Sequence, residues 1–140
     1  MRQAAVLVSD DSSYSLNGKF SINGIYGNDI QIPNDPTYAT QLVFTFIIET
    51  DPDDPFQKLE LHVELPGGDN RHLAINLQRL LPSYADQKRW RIQMPLLFLR
   101  PILKPGFIEA KVIHERGEIS PAAPAIVLPT SPTTAATTTT

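Results

Sequence analysis

The chain contains no cysteine, which removes disulfides, thiolate–zinc centres and cysteine nucleophiles together. It also lacks a long apolar run. Ala4-Ala5-Val6-Leu7-Val8 is stopped almost at once by Asp10-Asp11; it is too short for the apolar part of a secretion signal and far below the ~20 residues of a membrane-spanning helix. Charge is sparse and nearly balanced, with 12 Lys and Arg against 15 Asp and Glu and a net charge of −3. Such a surface predicts neither nucleic acid nor membrane as a partner, and it is not the composition of a disordered acidic chain. A cytoplasmic protein is the expectation. Long helices are disfavoured too, because 13 prolines are spread along the 140 residues, and a proline inside a helix removes a donor and clashes with the preceding turn.

What remains is strand signal. Ala4 to Ser9 reads as a strand buried on both faces, followed by turn residues Asp10-Asp11-Ser12-Ser13. Phe20, Ile22 and Tyr26 follow a period of two, with Gly24 standing where a large side chain belongs. A glycine in that place predicts a bulge or a close backbone approach. Leu42 to Glu49 (LVFTFIIE) is the strongest strand: Leu42, Phe44, Phe46 and Ile48 share one face, and Val43, Thr45 and Ile47 the other. A strand apolar on both faces is either covered twice or offers one face to a partner.

Leu59, Leu61 and Val63 are expected opposite Leu77, Ile75 and Leu73, with Pro66 to Asn70 as the hairpin loop. Gln78 to Lys88 is the one stretch where a short helix fits, interrupted by Pro82. Trp90, Ile92, Met94, Leu96 and Phe98 then alternate with Arg89, Arg91 and Gln93, and Pro95, which has no ladder donor, predicts that the strand lies at a sheet edge or breaks there. Pro105-Gly106 turns the chain into Phe107 to His114, with Ile108, Ala110 and Val112 inward, and Ala125 to Leu128 forms a last strand. The fold expected is an antiparallel β-sandwich of about seven to eight strands, immunoglobulin-like or C2-like, over residues 1–129. Residues 130–140, nearly all Thr, Ser, Ala and Pro, are expected to be a disordered tail.

Gly18-Lys19-Phe20-Ser21-Ile22-Asn23-Gly24-Ile25-Tyr26 superficially suggests a phosphate loop, but its glycines fit neither dinucleotide nor P-loop spacing, and strand rather than helix follows. The same stretch, with the opening strand before it and Leu42–Glu49 after it, resembles a family of small bacterial β-sandwich proteins of unknown function. Leu96-Leu97-Phe98 followed by Pro105-Gly106-Phe107 resembles that family's ending of strand, Pro-Gly-aromatic turn and strand. The resemblance spans residues 3 to 128; it implies a sandwich and brings no catalytic residues.

Three clusters carry possible chemistry. Glu49, Asp51, Asp53 and Asp54 place four carboxylates between two strands, a loop that could contribute oxygen ligands to calcium if a second acidic loop came alongside. His62, Glu64 and His72 fall on the wet face of the hairpin, where two imidazoles and a carboxylate suit zinc, or where Glu64 and His72 simply form a cross-strand pair. Arg79, Lys88, Arg89 and Arg91 surround Trp90, whose place in the inward alternation makes it core. There is no G-x-S-x-G elbow, and no cofactor is expected. A non-catalytic module that meets another protein through Val43, Thr45, Ile47, Phe107 and Ile113 is the leading expectation. A calcium- or glycan-binding module using the end-loop carboxylates is the alternative.

Overall fold

The computed structural model describes residues 1–14, 20–27, 29–31, 37–38, 41–77 and 90–127. The expected helix over 78–88 and the tail over 130–140 lie outside them. Among the described residues the architecture is an all-β sandwich of two four-stranded antiparallel sheets. In the first sheet β2 (Phe20–Ile25), β1 (Gln3–Tyr14), β5 (Gln41–Thr50) and β8 (Trp90–Leu99) lie side by side in that order. In the second the order is β12 (Gly117–Ile119), β11 (Glu109–His114), β6 (Leu59–Glu64) and β7 (Asn70–Ile75). A small third sheet joins β10 (Gly106–Phe107), β13 (Ala125–Val127) and β3 (Asp29–Gln31), with β13 and β3 parallel, and β4 (Thr37–Tyr38) pairs with β9 (Ile102–Leu103).

The core follows from period two. From the first sheet, Val6 and Val8 of β1, the row Leu42, Phe44, Phe46 and Ile48 of β5, and Ile92, Leu96 and Phe98 of β8 point inward. Leu59, Leu61 and Val63 of β6 and Ala110 and Val112 of β11 meet them from the second sheet. The β5 row is completely buried, and each such side chain contributes roughly 1.5–3 kcal/mol. Phe44 meets Phe98 edge to face, with ring centres 5.4 Å apart. Ile30 and Ile126, paired in register on the small sheet, close the core at its side. Pro95 does lie on an edge strand: β5 is the one strand that pairs with β8 among the described residues.

Two expectations need correction. Asp10-Asp11-Ser12-Ser13 is not a turn, because β1 runs through it to Tyr14 and pairs with β2 from Asp11–Asn23 to Tyr14–Phe20. Turn-prone residues are recruited there by a pairing partner, and the irregularity sits at Gly24 instead. Its φ is +70°, and a Cβ there would lie 2.5 Å from the Asp10 carboxylate, so this is a close approach that requires glycine. The hairpin register is displaced by two residues: Leu59, Leu61 and Val63 face Ile75, Leu73 and Arg71. A two-residue slip keeps every side chain on the same face, so hydrophobic pattern does not detect it. The loop decides. Leu65 N–H donates to the Asp69 carbonyl (2.8 Å) and Gly68 N–H to the Leu65 carbonyl (3.0 Å), so the turn closes one residue before Asn70, which already begins β7.

Candidate functional site

Strand direction gives the sandwich two unlike ends. β5 runs from Gln41 to Thr50, and the loop over 51–58 then crosses to the second sheet. Because β8 and β1 are antiparallel to β5, and β11 to β6, the residues Arg2, Asp54, Phe56, His114, Glu115 and Arg116 gather at the Thr50 end. The loops over 65–69 and 100–106 gather at the Gln41 end.

The Thr50 end is an ionic clasp between the sheets. The Arg2 side chain, 7% exposed, spans the junction. Its Nη2 donates to Glu115 Oε2 (2.7 Å) and to the Pro55 carbonyl (3.1 Å), and its Nη1 donates to His114 Nδ1 (3.0 Å). The guanidinium lies 4.4 Å from the centre of the Phe56 ring, a cation–π arrangement that also shields it from water. Phe56 in turn packs against Trp90 at 5.6 Å. Arg116 forks onto Asp54, with Nη2 to Oδ1 at 2.6 Å and Nη1 to Oδ2 at 3.0 Å, the bidentate geometry that a guanidinium favours. The hydrogen bond from Arg2, more than any other effect, pulls the Glu115 carboxyl down to about 2. The Arg116 hydrogen bond lowers Asp54, and burial first, then the Arg2 charge, lowers His114. Nδ1 of His114 accepts from both Arg2 and the Arg116 N–H (3.3 Å), which requires the neutral ring.

This clasp occupies the acidic loop proposed for calcium. Asp54 is held by two arginines, Asp51 meets the Met1 amino group, and Glu49 lies 3.9 Å from Arg91. Asp53 is exposed on the loop surface. Among the described residues no three His, Asp or Glu side chains form a group able to hold a metal ion. Glu49, Asp51 and Asp54 serve as ion-pair partners, a role that sequence reading missed for Asp54 because its cations, Arg2 and Arg116, stand 52 and 62 positions away.

Four large apolar side chains are exposed towards the Gln41 end, among the polar residues Asp10, Asp11, Arg100 and Glu109. Phe107 is 82% exposed, Leu99 68%, Ile25 54% and Leu97 37%. Register places all four towards that end: Leu99 pairs with Gln41, Leu97 with Val43, Ile25 with the Ser9 that also faces Val43, and Phe107 lies two residues before Glu109, which pairs with Glu64 at the end of β6. Arg100, next to Leu99, has φ +49°, the one non-glycine residue at positive φ among the described residues. That conformation costs about 1–2 kcal/mol, and strain of this kind gathers at functional surfaces. The turn is nonetheless firmly placed, since Ile102 N–H donates to Asp69 Oδ2 (2.9 Å) and Gly67 lies so close to the Ile102 carbonyl that a Cβ would collide with it.

The five residues proposed as a partner surface are thus separated. Val43 and Thr45 are buried, 3% and 0% exposed, so the outer face of β5 is covered at its middle. Ile47 and Ile113 are half-buried on different sheets. Phe107 alone of the five is open to solvent. Leu97 and Leu99 were missed because their strand reads as alternating core, and exposure at its outer face depends on which neighbours the topology supplies.

With the register displaced, His72 faces His62 across the hairpin rather than Glu64, which lies opposite Asn70; the His62–His72 pair stands on the outer face of the second sheet. Arg91 is exposed, while Trp90 is 8% exposed and packs on Phe56; Arg79, Lys88 and Arg89 lie outside the described residues. No helix among the described residues is long and apolar enough to cross a membrane. Comparison with family models, with curated proteins and with solved structures finds no match.

Proposed function

We propose that this chain is a non-catalytic β-sandwich module of the cytoplasm that binds another protein through its Gln41 end. The observation that supports this reading is that the exposed Leu97 and Leu99 of β8, Ile25 of β2 and Phe107 of β10 all lie towards one end, opposite an ion-paired clasp. Exposed large apolar side chains are ordinary when scattered; neighbouring ones such as Leu97 and Leu99 on the outer face of one strand mark contact sites. β8 adds a second attraction, because its outer edge has no strand partner among the described residues. An extended apolar segment adding along Leu96–Leu99 would gain main-chain hydrogen bonds and cover Leu97 and Leu99. Pro95 would limit such a strand to the part of β8 beyond it. The resemblance to small bacterial sandwich proteins, which brings no catalytic residues, fits the same reading.

The test is affinity capture with the intact chain, Leu99→Glu, Phe107→Glu and Arg116→Glu in parallel. Proteins retained by the intact chain and by Arg116→Glu, but lost from both variants at the Gln41 end, are the expected result. Equal retention by all four, or loss from Arg116→Glu alone, would overturn the assignment of the binding end.

A further inference from the structure

A second place on the molecule has the geometry of a ligand site, independent of the Gln41 end. On the outer face of the second sheet, His62 of β6 and His72 of β7 are direct cross-strand partners. Their ring centres lie 4.9 Å apart, with the ring planes at 59°. Two imidazoles on one metal ion, each nitrogen about 2.1 Å from it, have ring centres roughly 5 Å apart at a near-tetrahedral angle. The spacing already present is compatible with a shared metal ion.

Two further observations bear on this pair. Nε2 of His62 is buried and makes no hydrogen bond; the Glu60 carboxylate is 3.9 Å away, outside hydrogen-bond range. A buried polar nitrogen without a partner is costly, and a metal ion with its bound water would satisfy it. The pair also stands in a groove of about 250 Å³, lined in addition by Glu64, Arg71, Glu109 and Lys111. Its two carboxylates and two cations balance, so the groove has no strong field of its own and attraction for a cation must come from the imidazole nitrogens.

We propose that His62 and His72 form a two-imidazole site for a divalent transition-metal ion. No third protein ligand converges there among the described residues, so water completes the shell and the ion keeps exchangeable positions. Imidazole donors favour copper, nickel and zinc over calcium or magnesium, and the general affinity order places Cu²⁺ above Ni²⁺ and Zn²⁺. Binding is reversible and of modest strength, since two rigidly placed donors supply the whole protein share.

The experiment is calorimetric titration of the untagged full chain with CuCl₂, NiCl₂ and ZnCl₂ near neutral pH, with electron paramagnetic resonance of the Cu²⁺ form. One ion per chain is expected, with two coordinated nitrogens in the spectrum and Cu²⁺ bound most tightly. His62→Ala and His72→Ala should each weaken binding by about tenfold or more, because the second nitrogen no longer acts intramolecularly. His114→Ala, at the opposite end, should bind as the intact chain does. His72→Asn, on an edge strand, supplies a second variant that retains the fold by circular dichroism. Absence of saturable binding, or undiminished affinity in both His72 variants, would overturn the proposal.

Discussion

Replacing Glu115 by Gln tests whether the clasp joining the two sheets stabilises the fold through charge. Glu115 Oε2 accepts from Arg2 Nη2 at 2.7 Å, and Oε1 accepts from the Gln57 and Lys58 backbone N–H groups at 3.2 and 3.4 Å. The carboxyl, ordinarily at 4.5, is drawn down to about 2, chiefly by the Arg2 hydrogen bond. At about 1.4 kcal/mol per tenfold change in proton affinity, that displacement corresponds to about 3 kcal/mol at face value. The residue lies on a water-facing turn, although its side chain is only 24% exposed, and screening reduces the expected effect to about 1–2 kcal/mol. The sign follows from linkage. A carboxyl whose folded value is depressed adds stability above its unfolded value, here above about pH 4.5, and loses it as pH falls towards 2. Gln keeps the shape and one acceptor but cannot carry the charge. Urea unfolding followed by fluorescence of Trp90, which packs on Phe56 beside Arg2, should therefore show Glu115→Gln weaker by about 1–2 kcal/mol near pH 7. The gap should close progressively between about pH 4.5 and 2. A gap that stays constant across that window, or none near pH 7, would refute the account; Glu118→Gln, on the next strand, is the control.

Other substitutions probe different parts of the same structure. Leu61→Ala, at a fully buried position of β6, should cost about 2–5 kcal/mol in the same urea assay. Thr45→Val should instead stabilise by about 1 kcal/mol, because the Thr45 hydroxyl is buried without a partner and valine keeps its shape; a lower melting temperature would show that the hydroxyl is satisfied. Gly24→Ala should cost about 1 kcal/mol or more, since it demands a positive φ and pushes on the Asp10 carboxylate that accepts from the Tyr26 hydroxyl at 2.6 Å. Loss of that bond would release the Tyr26 hydroxyl, now pushed up to about 12 by burial and then by Asp10, and spectrophotometric titration would follow its descent.

The sandwich was legible in the sequence because period-two patterning is local: the inward rows of β5 and β8 and of the Ile108–Val112 stretch can be read without knowing any neighbour. Pro95 announced an edge or a break, also from local chemistry, and the strand runs unbroken at the edge. Pairing was less legible. Asp10 to Ser13 carry turn chemistry, yet β2 recruits them into a strand, and the hairpin register could slide by two residues without moving one side chain to the wrong face. The candidate sites were least legible, since function there depends on groups far apart in sequence. Four adjacent carboxylates suggested a cation site, and the fold supplies arginines as the cations. The solvent exposure of Leu97 and Leu99 likewise depends on the strand order, which no local pattern reveals.

The central place of β5 also sets a hazard during biosynthesis. Its second neighbour, β8, begins at Trp90, 40 residues after β5 ends at Thr50, so a chain emerging vectorially holds LVFTFIIE with one edge unpaired until that later strand arrives. A run of apolar, β-branched and aromatic residues with no proline and little charge is the composition that stacks into intermolecular cross-β. The acidic loop that follows it at once, Asp51, Asp53 and Asp54, interrupted by Pro52 and Pro55, then serves before folding as a gatekeeper, repelling like segments of other chains. The loop whose Asp54 closes the clasp in the finished sandwich thus protects its most aggregation-prone strand while the clasp does not yet exist.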